Sequence, residues 1–165
     1  MTSLQLIAKD HIYLESLLRA QQRDTDFSQL LRRKLDTAEV VLPEMLDPHT
    51  STIDSEITFS VGGGSSEQRV LTRDEKATGP GLPLPVTTLR GLALLGLRAG
   101  DIFALKTPGG IIEPLRLETV SHPANWRHQR PRKTTSVVAF PSLSATAGGP
   151  VSVSSDDDDP GPRAA

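Results

Sequence analysis

The first twenty-five residues carry hydrophobic positions at helical spacing. Residues 11–21 predict a short helix with Asp10 as its N-cap, because a carboxylate there can accept from free backbone N–H groups. The apolar contacts of this helix are expected from Ile12, Leu14, Leu17 and Leu18. The polar stretch at 21–25 then predicts a turn.

A second helix is predicted from Asp26, with Gln29 three positions later as in a capping box, and Pro43 should end it within a turn. Its apolar positions recur at spacings of three and four: Phe27, Leu30, Leu31, Leu35 and Ala38. The cations between them are predicted to lie largely on the solvent side: Arg32, Arg33 and Lys34. Two such helices make a short helical hairpin, an arm of only ~16–24 Å.

From residue 53 the period changes from helical to alternating. Ile57, Phe59 and Val61 predict a half-buried strand, and residues 69–72 its return after a glycine-rich turn. Residues 74–85 are rich in Gly and Pro and predict a loop.

The last predicted elements are a compact helix and a hairpin. Thr88 can cap the helix and Gly96 can close it. Strands are expected at 102–107 and 111–120, around a Pro-Gly-Gly turn, with Leu115, Leu117 and Thr119 on one face. A segregated helix beside paired strands predicts an α+β domain with a mostly antiparallel sheet.

Composition bounds the ordered part and the compartment. The chain has 165 residues, 36% of them hydrophobic, and large apolar side chains become scarce beyond about residue 120. We therefore expect a helical hairpin over 1–46, a second domain over 47–121 and a disordered tail over 122–165. With no cysteine, no signal-like N-terminus and no long apolar run, the expected location is the cytoplasm.

The chemistry-bearing residues show no catalytic pattern. Four scattered histidines lack metal-ligand spacing, and the Gly62–Gly64 run lacks the lysine of a phosphate-binding loop. We expect no enzyme activity, no cofactor and no metal site. A net charge of -2 also argues against a globally basic nucleic-acid binder.

The most informative stretch is T-L-R-G-L-A-L-L-G at 88–96, followed by Gly-Asp at 100–101 and Pro-Gly-Gly at 108–110. This series resembles the C-terminal signature of Gre-type transcription factors, although those usually read S-P-L-G at 88–91. Upstream, L-D-T-A-E-V-V at 35–41 and D-S-E-I-T-F at 54–59 are similar to nucleoside diphosphate kinase regulators of the same superfamily.

The resemblance, over roughly residues 7–120, implies an FKBP-like C-terminal domain behind a shortened coiled coil. Such proteins dock at the rim of the RNA polymerase secondary channel, and the residues implied for partner contact are Thr88, Leu89, Arg90 and Gly91. A helix cap followed by a core-packing helix explains the same four residues. The other functions considered are a module that regulates nucleoside diphosphate kinase, and a prolyl isomerase, which 4% aromatic residues disfavour.

Asp24 and Asp26 fall at the predicted hairpin tip. In long-armed Gre factors, tip carboxylates help to hold a catalytic Mg²⁺ in the polymerase, but an arm this short favours plain turn and cap roles. The Arg32–Lys34 run can meet acidic protein or nucleic acid, or simply form a solvated face. The same choice applies to the basic stretch from Arg127 to Lys133, which follows Trp126 and can bind nucleic acid weakly. Nothing demands more than a monomer.

Overall fold

The structure is a computed structural model that describes residues 3–73, 75–76 and 81–128. The elements run in this order: β1 (Gln5–Ile7), α1 (Ala8–Ala20), α2 (Asp26–Thr37), β2 (Glu39–Val41), β3 (Glu56–Val61), β4 (Ser66–Thr72), β5 (Pro83–Pro85), α3 (Leu89–Leu94), β6 (Ile102–Lys106), β7 (Ile112–Ser121) and a short 3-10 turn (Trp126–His128).

The helical hairpin is present, and a parallel pair of short strands closes its base. β1 leads directly into α1 and pairs with β2, which follows α2, in the register Gln5↔Glu39. Three-residue strands carry too little alternation to be visible in the sequence, so this pairing was not predicted. It also explains where α2 stops: the chain turns into β2 after Thr37, well before Pro43, the terminator expected from the sequence.

The cap of α2 differs from the predicted one by a single position. Thr25, not Asp26, is the N-cap, and its hydroxyl accepts from the N–H of Ser28 at 3.2 Å. Ser28 returns the interaction by accepting from the N–H of Thr25 at 2.7 Å. Asp26 instead occupies the first helical turn, where its charge complements the helix dipole.

Five strands form the main sheet, in the order β5-β4-β3-β7-β6. The predicted hairpins β3–β4 and β6–β7 are confirmed as antiparallel pairs, and β3 also pairs antiparallel with β7. Within the predicted loop at 74–85, Pro83–Pro85 forms a short edge strand parallel to β4. The fold class is therefore mixed α+β, as the sequence predicted.

A bulge in β7 corrects the predicted alternation. The register with β3 shifts between Thr58 and Phe59, so that Glu118 is an extra residue on β7. Leu115 and Leu117 are buried before the bulge, as expected, but Thr119 is exposed and Val120 packs on the core instead.

One hydrophobic core joins the sheet to α3 and to both arm helices. Leu14 of α1 and Leu31 of α2 are fully buried in the same cluster as Phe59 and Leu92. Ile12 was expected in this core but is 64% exposed. The division into domains at residue 46 stays a prediction. Among the described residues, no helix has the length and apolar character needed to cross a membrane.

Candidate protein-docking site

The loop that enters α3 is held by the hydroxyl of Thr88. This side chain caps the helix by accepting from the N–H of Gly91 at 3.1 Å, and it donates to the carbonyl of Pro85 at 2.7 Å. Gly91 is buried, and a Cβ there would lie 2.1 Å from the same Pro85 oxygen. Thr88 and Gly91 thus shape the loop, and only a glycine allows the helix to approach β5 so closely.

The two residues between them present side chains that a partner can reach. Leu89 is half-buried and lines a small groove whose other wall is formed by Leu30 and Arg33 of α2 and Phe103 of β6. Arg90 is exposed and pairs with Glu113 of β7 at 3.1 Å. The predicted contact set therefore separates into two shaping residues and two presenting ones, and its role in docking stays a prediction.

Lys34 is the largest departure from the sequence interpretation, because it is buried rather than solvated. Its ammonium donates to the backbone oxygen of Ala93 at 2.8 Å and to that of Leu95, at the C-terminal end of α3. It also lies 5.5 Å from the ring centroid of Phe103. These groups favour the cation, but burial dominates and lowers the pKa of Lys34 to about 7.

The sequence did contain a signal for this burial. Lys34 lies three positions after Leu31 and seven after Phe27, which places it on the apolar face of α2. Arg32 and Arg33 are exposed, as predicted. Lys34 therefore cannot meet acidic protein or nucleic acid, and only the two arginines remain available for that.

Asp10 is the counterpart of Lys34 in α1. The N-cap position of α1 is Ile7, which makes no side-chain cap, and Asp10 lies inside the first turn, fully buried. Its carboxylate accepts from the N–H of Ile53 at 3.0 Å, in the turn before β3. Burial raises the pKa of Asp10 to about 7. Each arm helix is thus tied to the backbone outside the arm by one buried ionisable side chain.

The hairpin tip keeps its carboxylates occupied locally. Asp24 is exposed in the turn between the helices and accepts from the guanidinium of Arg32 at 3.0 Å and the hydroxyl of Ser28 at 3.1 Å. Across the described residues, no group of three His, Asp or Glu side chains could hold a metal ion. The tip therefore offers single carboxylates rather than a site of its own.

Of the predicted basic segment, only Arg127 has a described side chain. It lies 5.1 Å from the ring centroid of Trp126, whose other contact is a stack on His122 with centroids 4.0 Å apart. Residues 129–133 of that segment, and the acidic run at 156–159, fall outside the described residues.

Comparison with known proteins gives a consistent class. The chain matches no protein-family profile. It is 35% identical over 92 residues to the "Regulator of nucleoside diphosphate kinase" of Escherichia coli strain K12. The aligned region covers 53% of this chain and 68% of that protein. The protein of the same name from Shigella flexneri matches to the same extent.

A solved structure shares the fold. The prokaryotic transcription elongation factor GreA/GreB from Nitrosomonas europaea aligns with a TM-score of 0.57 and 27% identity, covering 74% of this chain and 100% of that one. The shared fold and the sequence identity to these proteins define a protein of the GreA/GreB superfamily. Within that superfamily, the chain belongs to the family of regulators of nucleoside diphosphate kinase, as the motifs at 35–41 and 54–59 led us to expect.

Proposed function

We propose that this protein is a binding regulator of RNA polymerase that docks at the rim of the secondary channel through an FKBP-like C-terminal domain. The observation that carries the proposal is the α3 entry loop, where a capped turn presents Leu89 and Arg90 on a rigid support. The relatives support it because they are named as regulators and transcription factors rather than enzymes.

The arm sets the mechanism that we propose. α1 has 13 residues and α2 has 12, so each helix spans only ~20 Å at 1.5 Å per residue. Leu14 and Leu31 are buried in the core, which leaves little of the arm to project. The protein would occupy the channel entrance and exclude longer-armed factors, without delivering Asp24 or Asp26 to the catalytic metal.

Lys34 and Asp10 give the arm a fixed direction in this proposal. Both side chains end on backbone groups outside the arm, and both are shielded from solvent. Removing a partner from a buried hydrogen bond is costly, so the arm cannot swing freely without breaking these contacts. A rigid arm suits a factor that acts by occupying space.

The first experiment measures binding of the full chain to core RNA polymerase, with a Gre factor as competitor. Saturable binding that the competitor displaces is expected, together with no stimulation of transcript cleavage. Leu89→Ser and Arg90→Glu should each weaken binding about tenfold, since an apolar anchor and a presented charge are lost. Arg69→Glu is the matched control, because Arg69 is also an ion-paired arginine, on β4, away from the loop sequence.

Absence of binding at micromolar concentrations, or equal effects of the loop and control substitutions, would sink the polymerase proposal. The second candidate function is regulation of nucleoside diphosphate kinase, and it is favoured by the name that the bacterial relatives carry. Its test is the activity of that kinase with and without this protein. A change in kinase activity alongside no polymerase binding would select it.

A further inference from the structure

A second concave site lies away from the docking loop and shares no residue with it. It is formed where α1, the turn before β3, the end of β4 and the segment after β7 meet, and it has a volume of about 530 Å³. Its apolar lining includes Ile12, Tyr13, Pro43, Pro123 and Trp126. We call it the Trp126 groove. Its size and lining are typical of sites for small molecules rather than folded partners.

The groove leaves large apolar groups in contact with water. Ile12 is 64% exposed although it sits in the middle of an amphipathic helix that buries Leu14. The ring of Trp126 is held by its stack on His122, whose Nδ1 lies 3.3 Å from the hydroxyl of Thr52. An exposed isoleucine beside a fixed indole makes a preformed apolar surface, and burying such a surface is favourable.

Charge at the rim favours an anion. Lys9 lies 3.5 Å from Asp54, and the guanidinium of Arg73 lies 5.1 Å from the ring centroid of Tyr13. Two cations, Lys9 and Arg73, therefore line the groove against one lining carboxylate, Asp54, which is paired with Lys9. Arg73 also acts electrostatically on the buried carboxyl of Asp10. A negative head group would complement this excess.

The backbone of the groove is held in uncommon conformations. Asp54 has φ 74° and Asn125, next to Trp126, has φ 63°, both in the left-handed region that residues other than glycine seldom adopt. Near Asp54, whose charge acts on it, Oδ1 of the buried Asp10 has no hydrogen-bond partner among the described residues. Strained backbone and unsatisfied polar atoms are features that concentrate at ligand sites.

From these observations we propose that the Trp126 groove binds an amphipathic small-molecule carboxylate. Its apolar body lies on Ile12, Tyr13 and Trp126, and its head group meets Lys9 and Arg73. The ligand is a single molecule rather than a peptide or a bilayer, because the groove is a bounded concave site of about 530 Å³ and not an extended apolar surface. This site is independent of polymerase docking.

The chain carries its own reporter for the test, because Trp126 is its only tryptophan. The probes are decanoate and decylammonium, which share an apolar chain and differ in the sign of the head group. Decanoate should change the Trp126 emission saturably below about 1 mM, and decylammonium should bind about tenfold more weakly. Arg73→Ala should reduce that preference for the anion.

Substitutions at two equally exposed isoleucines separate the groove from general hydrophobic binding. Ile12→Ser should weaken decanoate about tenfold, and Ile112→Ser, at a β7 residue that is 65% exposed, should leave it unchanged. Far-UV circular dichroism checks that both variants are folded. Calorimetric titration gives a readout that does not depend on the indole.

Three results would overturn the proposal. The first is no saturable response to decanoate, and the second is equal affinity for the two probes. The third is a dimer, seen by sedimentation, that Ile12→Ser dissociates while decanoate does not bind, since that result would make a second copy of the chain the occupant.

Discussion

The side chain of Lys34 donates a hydrogen bond to the backbone oxygen of Ala93, 59 positions later in the chain, at 2.8 Å. The contact joins the second arm helix to the C-terminal end of α3, the helix whose opposite end presents Leu89 and Arg90. The candidate docking loop and the arm are therefore connected through one short helix. Lys34 donates to the backbone oxygens of Ala93 and of the C-cap residue Leu95, at the helix end where intrahelical donors run out.

Lys34→Met should destabilise the protein in a pH-dependent way. The pKa of Lys34 falls from 10.5 to about 7 on folding, so between these values the unfolded chain holds a proton that the native protein has lost. The contribution of Lys34 to stability therefore rises from pH 7 towards pH 10. At pH 10 the variant should be about 1–3 kcal/mol less stable, because two carbonyls lose their donor.

Chemical denaturation at pH 6, 8 and 10 measures this difference, and Arg33→Met is the control. Arg33 is exposed on the same helix, so its replacement should stay within about 0.5 kcal/mol at every pH. A Lys34→Met difference that does not change with pH would contradict the lowered pKa.

Asp10→Asn should show the opposite dependence. Folding raises the pKa of Asp10 from 3.8 to about 7, so between these values the native protein holds a proton that the unfolded chain has released. Wild-type stability through this group falls as pH rises from 4 to 7. The variant, which keeps an acceptor for the Ile53 N–H, should gain about 2 kcal/mol relative to wild type between pH 4 and pH 8.

Chemical denaturation at pH 4 and pH 8 measures this gain, with Asp36→Asn as the control. Asp36 is exposed on α2, so its replacement should change stability by about 0.5 kcal/mol or less at either pH. Equal dependence of stability on pH for the two variants would show that burial does not raise the pKa of Asp10.

Gly91→Ala should cost about 2–4 kcal/mol of stability, because its Cβ would meet the carbonyl of Pro85 and force α3 away from β5. Thermal unfolding followed by circular dichroism measures the loss. Gly109→Ala in the β6–β7 turn is the control, since nothing lies within 4 Å of a Cβ there. A Gly91→Ala variant as stable as the wild-type protein would contradict the close approach of α3 and β5.

Thr25→Ala should cost about 1 kcal/mol, because Thr25 is the residue that caps α2. Asp26→Asn should cost about 0.5 kcal/mol or less, since Asp26 contributes only its charge at the helix start. Urea unfolding of both variants decides between the two positions. A larger loss at Asp26 would restore the cap predicted from the sequence.

Local patterns determined much of this protein. The alternation at Ile57, Phe59 and Val61 predicted β3. Thr88 as a cap and Gly96 as the closing residue predicted the limits of α3, and in the structure Gly96 has φ 80°. These features depend on contacts within a few residues or on strict periodicity, and both are written in the sequence. The family signature at 88–110 lies in that same locally determined part.

Tertiary structure decided the rest, since it depends on groups that are far apart in the chain. The sequence could not tell that Lys34 ends on Ala93, because whether a cation on an apolar helix face is buried depends on which carbonyls lie opposite. It placed Asp10 at a helix cap, whereas a backbone N–H from Ile53 draws that carboxylate inward. The parallel pairing of β1 with β2 and the exposure of Ile12 likewise follow from packing. Packing is decided by burial energies summed over the whole fold, and no single segment of the sequence contains that sum.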